Sequence, residues 1–381
     1  MLNRRLFMML MIVVLVLPPL AIVPFTEAQE EGVGAARVRI GYFAFDPKDY
    51  ESYVDGEIFP FATQLVNTGW LLPVDTFCVN TASPFFDFSD GIHSFAFVPK
   101  GKSLENAILG PKDVTLEAGH VYSLAIVGSL DAGDLDLLVI DDTQILAGTD
   151  PQTAFVQILV NNVAGIPAFE VEEGADKNAV GYGQFSAKLY ATDSPILFSV
   201  YAEMQGQRNS LFDMGSFMPS GGISDFGAMF GTYPGVLNEG YFYAVNWGNL
   251  QEITVIDGGT IDVGSEVAGK IAEVAQRVRY TVTLTADTTL TITASGTGQR
   301  YVDISMMGVT TFDPALYVFD AEGKLLDWRD DISLEAVIAG ITDAKLEEIA
   351  LKAGTYWIEV GSSYDQVSGP FKLVVESATS K

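Results

Sequence analysis

Apolar and polar residues alternate along most of this chain in short runs broken by glycine, the period-two pattern of half-buried strands. In "RYTVTLTADTTLTITASG", Tyr280, Val282 and Leu284 share one face, Ala286 to Thr288 turn the chain, and Leu290 and Ile292 return, which predicts a hairpin. "GTYWIEVGSSYDQVSGPFKLVVES" repeats the scheme, with Tyr356, Ile358 and Val360 on one face, then Phe371, Leu373 and Val375 after a glycine and proline turn. Helical patterning is scarce. Its best instance is "SLEAVIAGITDAKLEEIAL", where Leu334, Val337, Ile338 and Ile341 fall on one helical stripe. Many short strands and 37 glycines predict an all-β chain built of β-sandwiches.

The strand pattern also recurs at long range. "ARVRIGYFAFDPKDYESYVDGE" from Ala36 matches "AFVQILVNNVAGIPAFEVEEG" from Ala154 in its order of β run, proline-containing loop, second β run and acidic glycine turn. Each is followed by an aromatic-rich strand after "EAG" or "NEG", then by "LDLLVIDD" or "EITVIDGG". On this spacing Gly119 pairs with Gly240, Tyr122 with Tyr243 and Ile140 with Ile256, all residues of turn or core type. The expected organisation is three β-sandwich modules, residues 29–150, 151–260 and 261–381, of which the first two are a tandem repeat.

Composition sharpens the compartment. The chain opens with Arg4 and Arg5, an apolar run from Leu6 to Leu17, two prolines and small residues around Ala28, which reads as a signal peptide over residues 1–28. The alternative is an uncleaved anchor, although the run reaches the ~20 apolar residues of a spanning helix only through Pro18 and Pro19. The expected location is therefore secreted or at the extracytoplasmic cell surface. Cys78 is the single cysteine, so no intramolecular disulfide can form, and its apolar setting suits a buried small hydrophobe. A formal charge of −28 disfavours nucleic acid and anionic membranes, and no membrane partner beyond such an anchor is expected.

Catalytic patterns are missing from the sequence. His93 and His120 are the only histidines, and there is no His-Glu-x-x-His, Gly-x-Ser-x-Gly or Cys-x-x-Cys. Carboxylates are abundant, which leaves a cryptic carboxylate-based hydrolase as one alternative. The candidate chemistry is instead calcium, which takes hard oxygen ligands from glycine-containing loops. "SLDAGDLD" supplies Asp131, Asp134 and Asp136; the last third of the chain supplies Asp313, Asp320, Asp330 and Asp331. Asp320 with Gly323 also has the composition of a plain hairpin turn in "FDAEGK". Trp328, beside a turn, and Trp357, which alternation sends to the face opposite Tyr356 and Ile358, are candidate ligand-stacking residues.

Two resemblances extend this reading. Residues 36–257, through "ARVRIGYFAFDPKDYESYVDG", resemble a tandem bacterial domain-of-unknown-function family of exported proteins, a resemblance that implies β-sandwich modules and no activity. Residues 261–376, through "VGSEVAGKI", "FDPALYVFDAEGKLLDWRDD" and "KLEEIALKAGTYWIEVGSS", resemble the bacterial pre-peptidase C-terminal domain, which implies an accessory module and, in several members, calcium. No peptidase precedes it here. The expected function is that of an exported, non-catalytic binding or adhesion protein that recognises polysaccharide or cell-surface protein; a structural subunit of an envelope or surface assembly is the other alternative.

Overall fold

The computed structural model describes residues 35–44, 50–60, 82–130, 132–146, 148–164, 168–173, 176–191, 195–204, 206–217, 222–232, 241–297, 302–303, 308–309, 312–330, 343–365 and 367–378. The expected signal segment, Cys78 and the four stripe residues Leu334 to Ile341 lie outside them.

The first strands are β1 (Ala36–Tyr42), β2 (Tyr50–Val54), β3 (Glu57–Phe59), β4 (Phe86–Phe88), β5 (Gly91–Pro99), β6 (Leu109–Leu116), β7 (Val121–Val127) and β8 (Asp136–Asp141), followed by the short helix α1 (Asp142–Leu146). They form two sheets, β4-β1-β7-β8 and β3-β2-β5-β6. The β2–β3 hairpin turns on Asp55 (φ 53°) and Gly56 (φ 84°), the Asp-Gly pair whose positive φ angles match the twist of the flanking strands.

The next eight strands repeat this topology. They are β9 (Ala154–Ala164), β10 (Ala168–Glu173), β11 (Asp176–Gly181), β12 (Gln184–Ala191), β13 (Ile196–Met204), β14 (Gln207–Phe217), β15 (Ile223–Thr232) and β16 (Tyr241–Asn249), in sheets β12-β9-β15-β16 and β11-β10-β13-β14. In each set the first strand runs antiparallel to the fourth and parallel to the seventh. The duplication is real, but its register differs from the one that the sequence spacing suggests. The counterpart of β7 is β15, not the aromatic strand β16, and "EITVIDGG" pairs outside this set altogether. Gly119 therefore matches Gly222: each has positive φ and donates its N–H across to the start of the first strand, to Ala35 O at 3.1 Å and Ala154 O at 2.9 Å. Gly240 lies outside the described residues. The slip arises because β15 and β16 are both aromatic-containing runs preceded by glycine in the sequence.

The last set holds β17 (Thr254–Thr260), β18 (Ser265–Ile271), β19 (Gln276–Leu284), β20 (Thr288–Gly296), a two-residue ladder of β21 (Val302–Asp303) and β22 (Gly308–Val309), then β23 (Pro314–Asp320), β24 (Leu325–Arg329), β25 (Ala344–Leu351), β26 (Gly354–Ser362) and β27 (Gly369–Ser377). The main sheets are β17-β19-β26-β23-β24 and β18-β27-β20-β25. Here two expectations are corrected. The predicted hairpin β19–β20 is a corner between sheets: β19 pairs with β17 and β26, β20 with β25 and β27. The β26–β27 connection is likewise a corner. Alternation shows which side chains point inward but not which strand is the neighbour, and here Tyr280, Val282, Leu290, Ile292, Ile358 and Phe371 all meet in one core. The end of the predicted helix, "AKLEEIAL", is strand β25, bulged at Glu348 (φ 56°).

The three pairs of sheets, all within Gly34–Lys381, form a single compact unit. All seven residues of β7 are buried. Tyr122, Leu124 and Ile126 face the first sandwich core, while Val121, Ala125 and Val127 face the next sheet pair and join Ala154, Val156, Ile158 and Val160 of β9. Strand β23 does the same: Leu316 and Val318 fill the last sandwich, whereas Ala315 and Tyr317 join the first core with Leu325 and Trp328. The Trp328 indole donates to Pro60 O at 2.6 Å and meets Phe86 edge-on at 5.8 Å. Such doubly buried strands read as continuous apolar runs, here "VYSLAIV" and "PALYVF".

Several polar groups trapped at these seams are joined in networks. Arg39 and Asp142, both fully buried, share Ser123: Arg39 Nε donates to Ser123 Oγ at 2.8 Å, and that hydroxyl donates to Asp142 at 2.9 Å. Asn162 of β9 closes the end of the first set, accepting from Gly128 N at 2.7 Å and donating to Phe43 O at 2.7 Å. Where all three sets meet, Arg37 donates to Asn249 O and Gln251 O, Asn249 Nδ2 donates to Asp365 O at 2.8 Å, and Asp365 takes a two-pronged contact from Arg277 at 2.9 and 2.7 Å. Arg277 lies 3.8 Å over the Tyr317 ring, and Glu359 faces both Arg277 and Arg279. Burial opposes the Arg277 charge, yet Asp365 and Glu359 hold its pKa well above the ordinary value. Gly361 has no room for a side chain, since a Cβ would stand 2.8 Å from Asp365 Oδ1.

Arg277→Met leaves the buried Asp365 without its main partner and takes the weaker of two arginines from Glu359, and is expected to lower stability by about 3–5 kcal/mol. Arg279→Met, after which Glu359 retains Arg277, costs less. Urea unfolding of both variants checks the difference, and equal small losses contradict it.

Candidate functional site

The described surface has an open cleft of about 490 Å³ where β6, β7, β8 and α1 of the first set meet β12 of the second. Its acidic side begins with the turn at Glu117–His120. The antiparallel register sets Tyr122 opposite Asp141, which carries His120 up to the same carboxylate. His120 Nδ1 donates to Asp141 Oδ2 at 2.9 Å, and His120 Nε2 lies 3.6 Å from Glu117 Oε2. Asp141 also caps α1, accepting from Thr143 N at 3.0 Å and Gln144 N at 3.2 Å. Its position is thus fixed from two directions.

The Tyr122 phenol lies under this group, stacked on His120 at 6.0 Å between centroids and accepting a hydrogen bond from Glu117 N. Burial pushes the phenol pKa up; the Glu117 amide opposes this and the Asp141 and Glu117 charges add to it, so Tyr122 stays neutral across the physiological range. The facing wall is apolar. Val139 is 40% exposed and Phe185 of β12 is 39% exposed, with Ile145 behind them. Lysine and arginine do not line the cleft among the described residues. Chemically this is a concave surface with an apolar wall, one fixed carboxylate, one exposed carboxylate and the Gln144 amide. His120 is oriented by Asp141 but faces another carboxylate, not a hydroxyl or thiol, at its second nitrogen.

The sequence reading missed this group. His120 and Asp141 are 21 residues apart, and Phe185 belongs to the other repeat. The strand register is the only signal that joins the first two, and it emerges once β7 and β8 are taken as neighbours. His93, by contrast, ties a turn to a loop, with Nδ1 2.7 Å from Asp55 Oδ2 and Nε2 2.9 Å from Ser89 O.

The residues singled out from sequence disperse. Asp131 and Asp331 lie outside the described residues. Asp134 accepts from Ser129 N at 2.7 Å inside its own turn, and Asp136 pairs with Lys112 Nζ at 2.7 Å. Partial burial works against the Asp136 charge, but the Lys112 and Leu137 N–H bonds hold its pKa below the usual carboxylate value. Asp313 and Asp330 come to one corner through Ser363, which donates its hydroxyl to Asp330 Oδ2 at 2.9 Å and its N–H to Asp313 O at 2.8 Å. Asp320 does not join them. It sits at the far end of β23, roughly 20 Å away for a seven-residue strand. There it accepts from Glu322 N at 3.1 Å and Lys324 N at 2.8 Å, closing the turn with Gly323 (φ 86°). Among the described residues no three His, Cys, Asp or Glu side chains converge as a metal ion would require.

Trp328 is corrected as a stacking candidate, because it is 3% exposed and its indole N–H is engaged by Pro60. The turn beside it faces the first sandwich rather than solvent. Trp357 does point to the outer face, as alternation requires, but the Arg279 guanidinium covers its ring at 4.3 Å.

Comparison with known proteins gives one family match. Residues 36–172 match the family described as "Domain of unknown function (DUF4397)", a span that covers the first sheet pair and runs through β9 into β10. No curated protein matches the chain. Among solved structures, the chain is similar to the pre-peptidase C-terminal domain of collagenase from Bacillus anthracis, at 12% identity over 33% of this chain and 99% of that one, with a TM-score of 0.23. It is also similar to PliG of Aeromonas hydrophila, a periplasmic inhibitor of g-type lysozyme, at 14% identity over 32% of this chain and 99% of that one, with a TM-score of 0.21. A third likeness, to the Bacillus anthracis TIE protein, has 8% identity over 88% of this chain and 48% of that one, with a TM-score of 0.15.

Asp320→Ala removes two turn hydrogen bonds and is expected to cost about 1 kcal/mol of stability. The cost is the same in excess calcium and in chelator, measured by urea unfolding in both. A loss that appears only with calcium would make Asp320 a metal ligand.

Proposed function

We propose that this chain is an exported, non-catalytic binding protein of adhesive type, and that the cleft between the first two sheet pairs is its recognition surface. The observation that carries the reading is the pair of exposed apolar side chains, Val139 and Phe185, set against Glu117, Asp141 and Gln144 in a concave seam. Concave surfaces that set apolar side chains beside a few placed polar groups are where ligands bind. Both elements of the wall are held in sheet ladders, Val139 beside Leu124 of β7 and Phe185 beside Val160 of β9. Export is supported by the amino-terminal composition, with its basic start and apolar run. Absence of catalysis is supported by the sequence, which lacks hydrolase motifs, and by the hydrogen bonds that tie both histidines to turns and loops. Structural calcium is not needed for this reading: Asp134, Asp136, Asp320 and Asp330 already serve protein donors.

A panel of immobilised polysaccharides and surface proteins tests it. Phe185→Ser is expected to lower retention of whichever probe binds by about tenfold or more, as loss of an anchoring aromatic does. Urea unfolding of the variant should stay near that of the parent, because the ring is partly exposed. A partner held equally by Phe185→Ser and by Val139→Lys would move recognition elsewhere.

A further inference from the structure

Resting on that reading, we infer that the cleft receives a lysine or arginine side chain from a basic segment of a partner protein. Two features select this occupant. The wall of Val139, Phe185 and Ile145 fits an aliphatic stem, while Glu117 at the rim and Asp141 inside fit a cationic head. This division matches the anatomy of long basic side chains, which bury their methylenes and keep the charge near acceptors. The Phe185 ring also offers a face to such a cation. The wider field points the same way. The chain carries a formal charge of −28, and among the described residues the cleft is lined by no lysine or arginine, so long-range attraction and local contact act together on a basic partner. A neutral glycan gains nothing from that field, and a phosphate backbone is repelled by it.

Of the two carboxylates, Glu117 is the accessible one. Its side chain is 68% exposed, whereas Asp141 is 14% exposed and already serves His120 and the start of α1. Glu117 therefore makes the tested contact, and Asp141 holds the inner potential.

The test is fluorescence anisotropy of labelled oligoarginine and oligolysine peptides, with a neutral oligosaccharide as the contrasting probe, against the full chain at low and high salt. Peptide binding that weakens with salt is expected. Glu117→Gln should weaken it by about threefold, and Val139→Lys, which sets a like charge in the cleft, by at least about tenfold. Glu105→Gln, which removes the same charge from an exposed site elsewhere, should leave it unchanged. Equal losses for Glu117→Gln and Glu105→Gln would overturn the inference and leave only diffuse attraction. Peptides that fail to bind, with an oligosaccharide that binds and is lost in Phe185→Ser, would also overturn it while the cleft stands as the recognition surface. If Phe185→Ser and Val139→Lys alter the binding of neither probe, the cleft reading falls as well.

Discussion

Back-to-back burial of sheet β4-β1-β7-β8 is the constraint on which the rest depends. A sheet in a two-layer sandwich normally keeps one face in water. Here Tyr122, Leu124 and Ile126 face one core and Val121, Ala125 and Val127 another, so β7 has no solvent face. Polar side chains that the seam traps then depend on protein partners, since an unsatisfied buried group costs roughly 1–3 kcal/mol. The Arg39–Ser123–Asp142 chain, the Asn162 bridge to Phe43 and Gly128, and the Arg37, Asn249, Asp365 and Arg277 junction are the consequence. A chain without disulfides thereby ties three sheet pairs together by apolar area and directed hydrogen bonds.

The cleft follows from the same packing. Where β12 of the second set meets β8 and α1 of the first, Phe185 and Val139 are left partly uncovered. Placement in sheet ladders favours recognition by preorganised contacts, with little ordering cost on binding. His120 serves this architecture, bonded to Asp141 beside the start of α1.

Much of the fold was legible in the chain. Alternation identifies the inward residues of β19, β20, β26 and β27, and the repeat between Ala36 and Ala154 is visible in the sequence itself. What alternation could not supply was partnership. Tyr280 and Leu290 point to the same core from different sheets, which makes the expected hairpin a corner, and β15 and β16 resemble each other because glycine precedes both aromatic-containing runs in the sequence. The site was harder to read for a related reason. Asp313, Asp320 and Asp330 look alike in sequence, but strand length separates Asp320 from the others and a turn consumes its carboxylate. Trp328 looked exposed beside its turn because nothing local announces that the first sandwich packs over β23 and β24. His120, Asp141 and Phe185 lie too far apart in sequence for spacing to join them.

The central claim is that the three sheet pairs share cores and therefore behave as one body. Differential scanning calorimetry of the chain tests it most directly. One transition, with calorimetric and van't Hoff enthalpies in agreement, is predicted. Two or three resolved transitions, each with its own matched enthalpies, would show that the sandwiches unfold as independent units and would contradict the account.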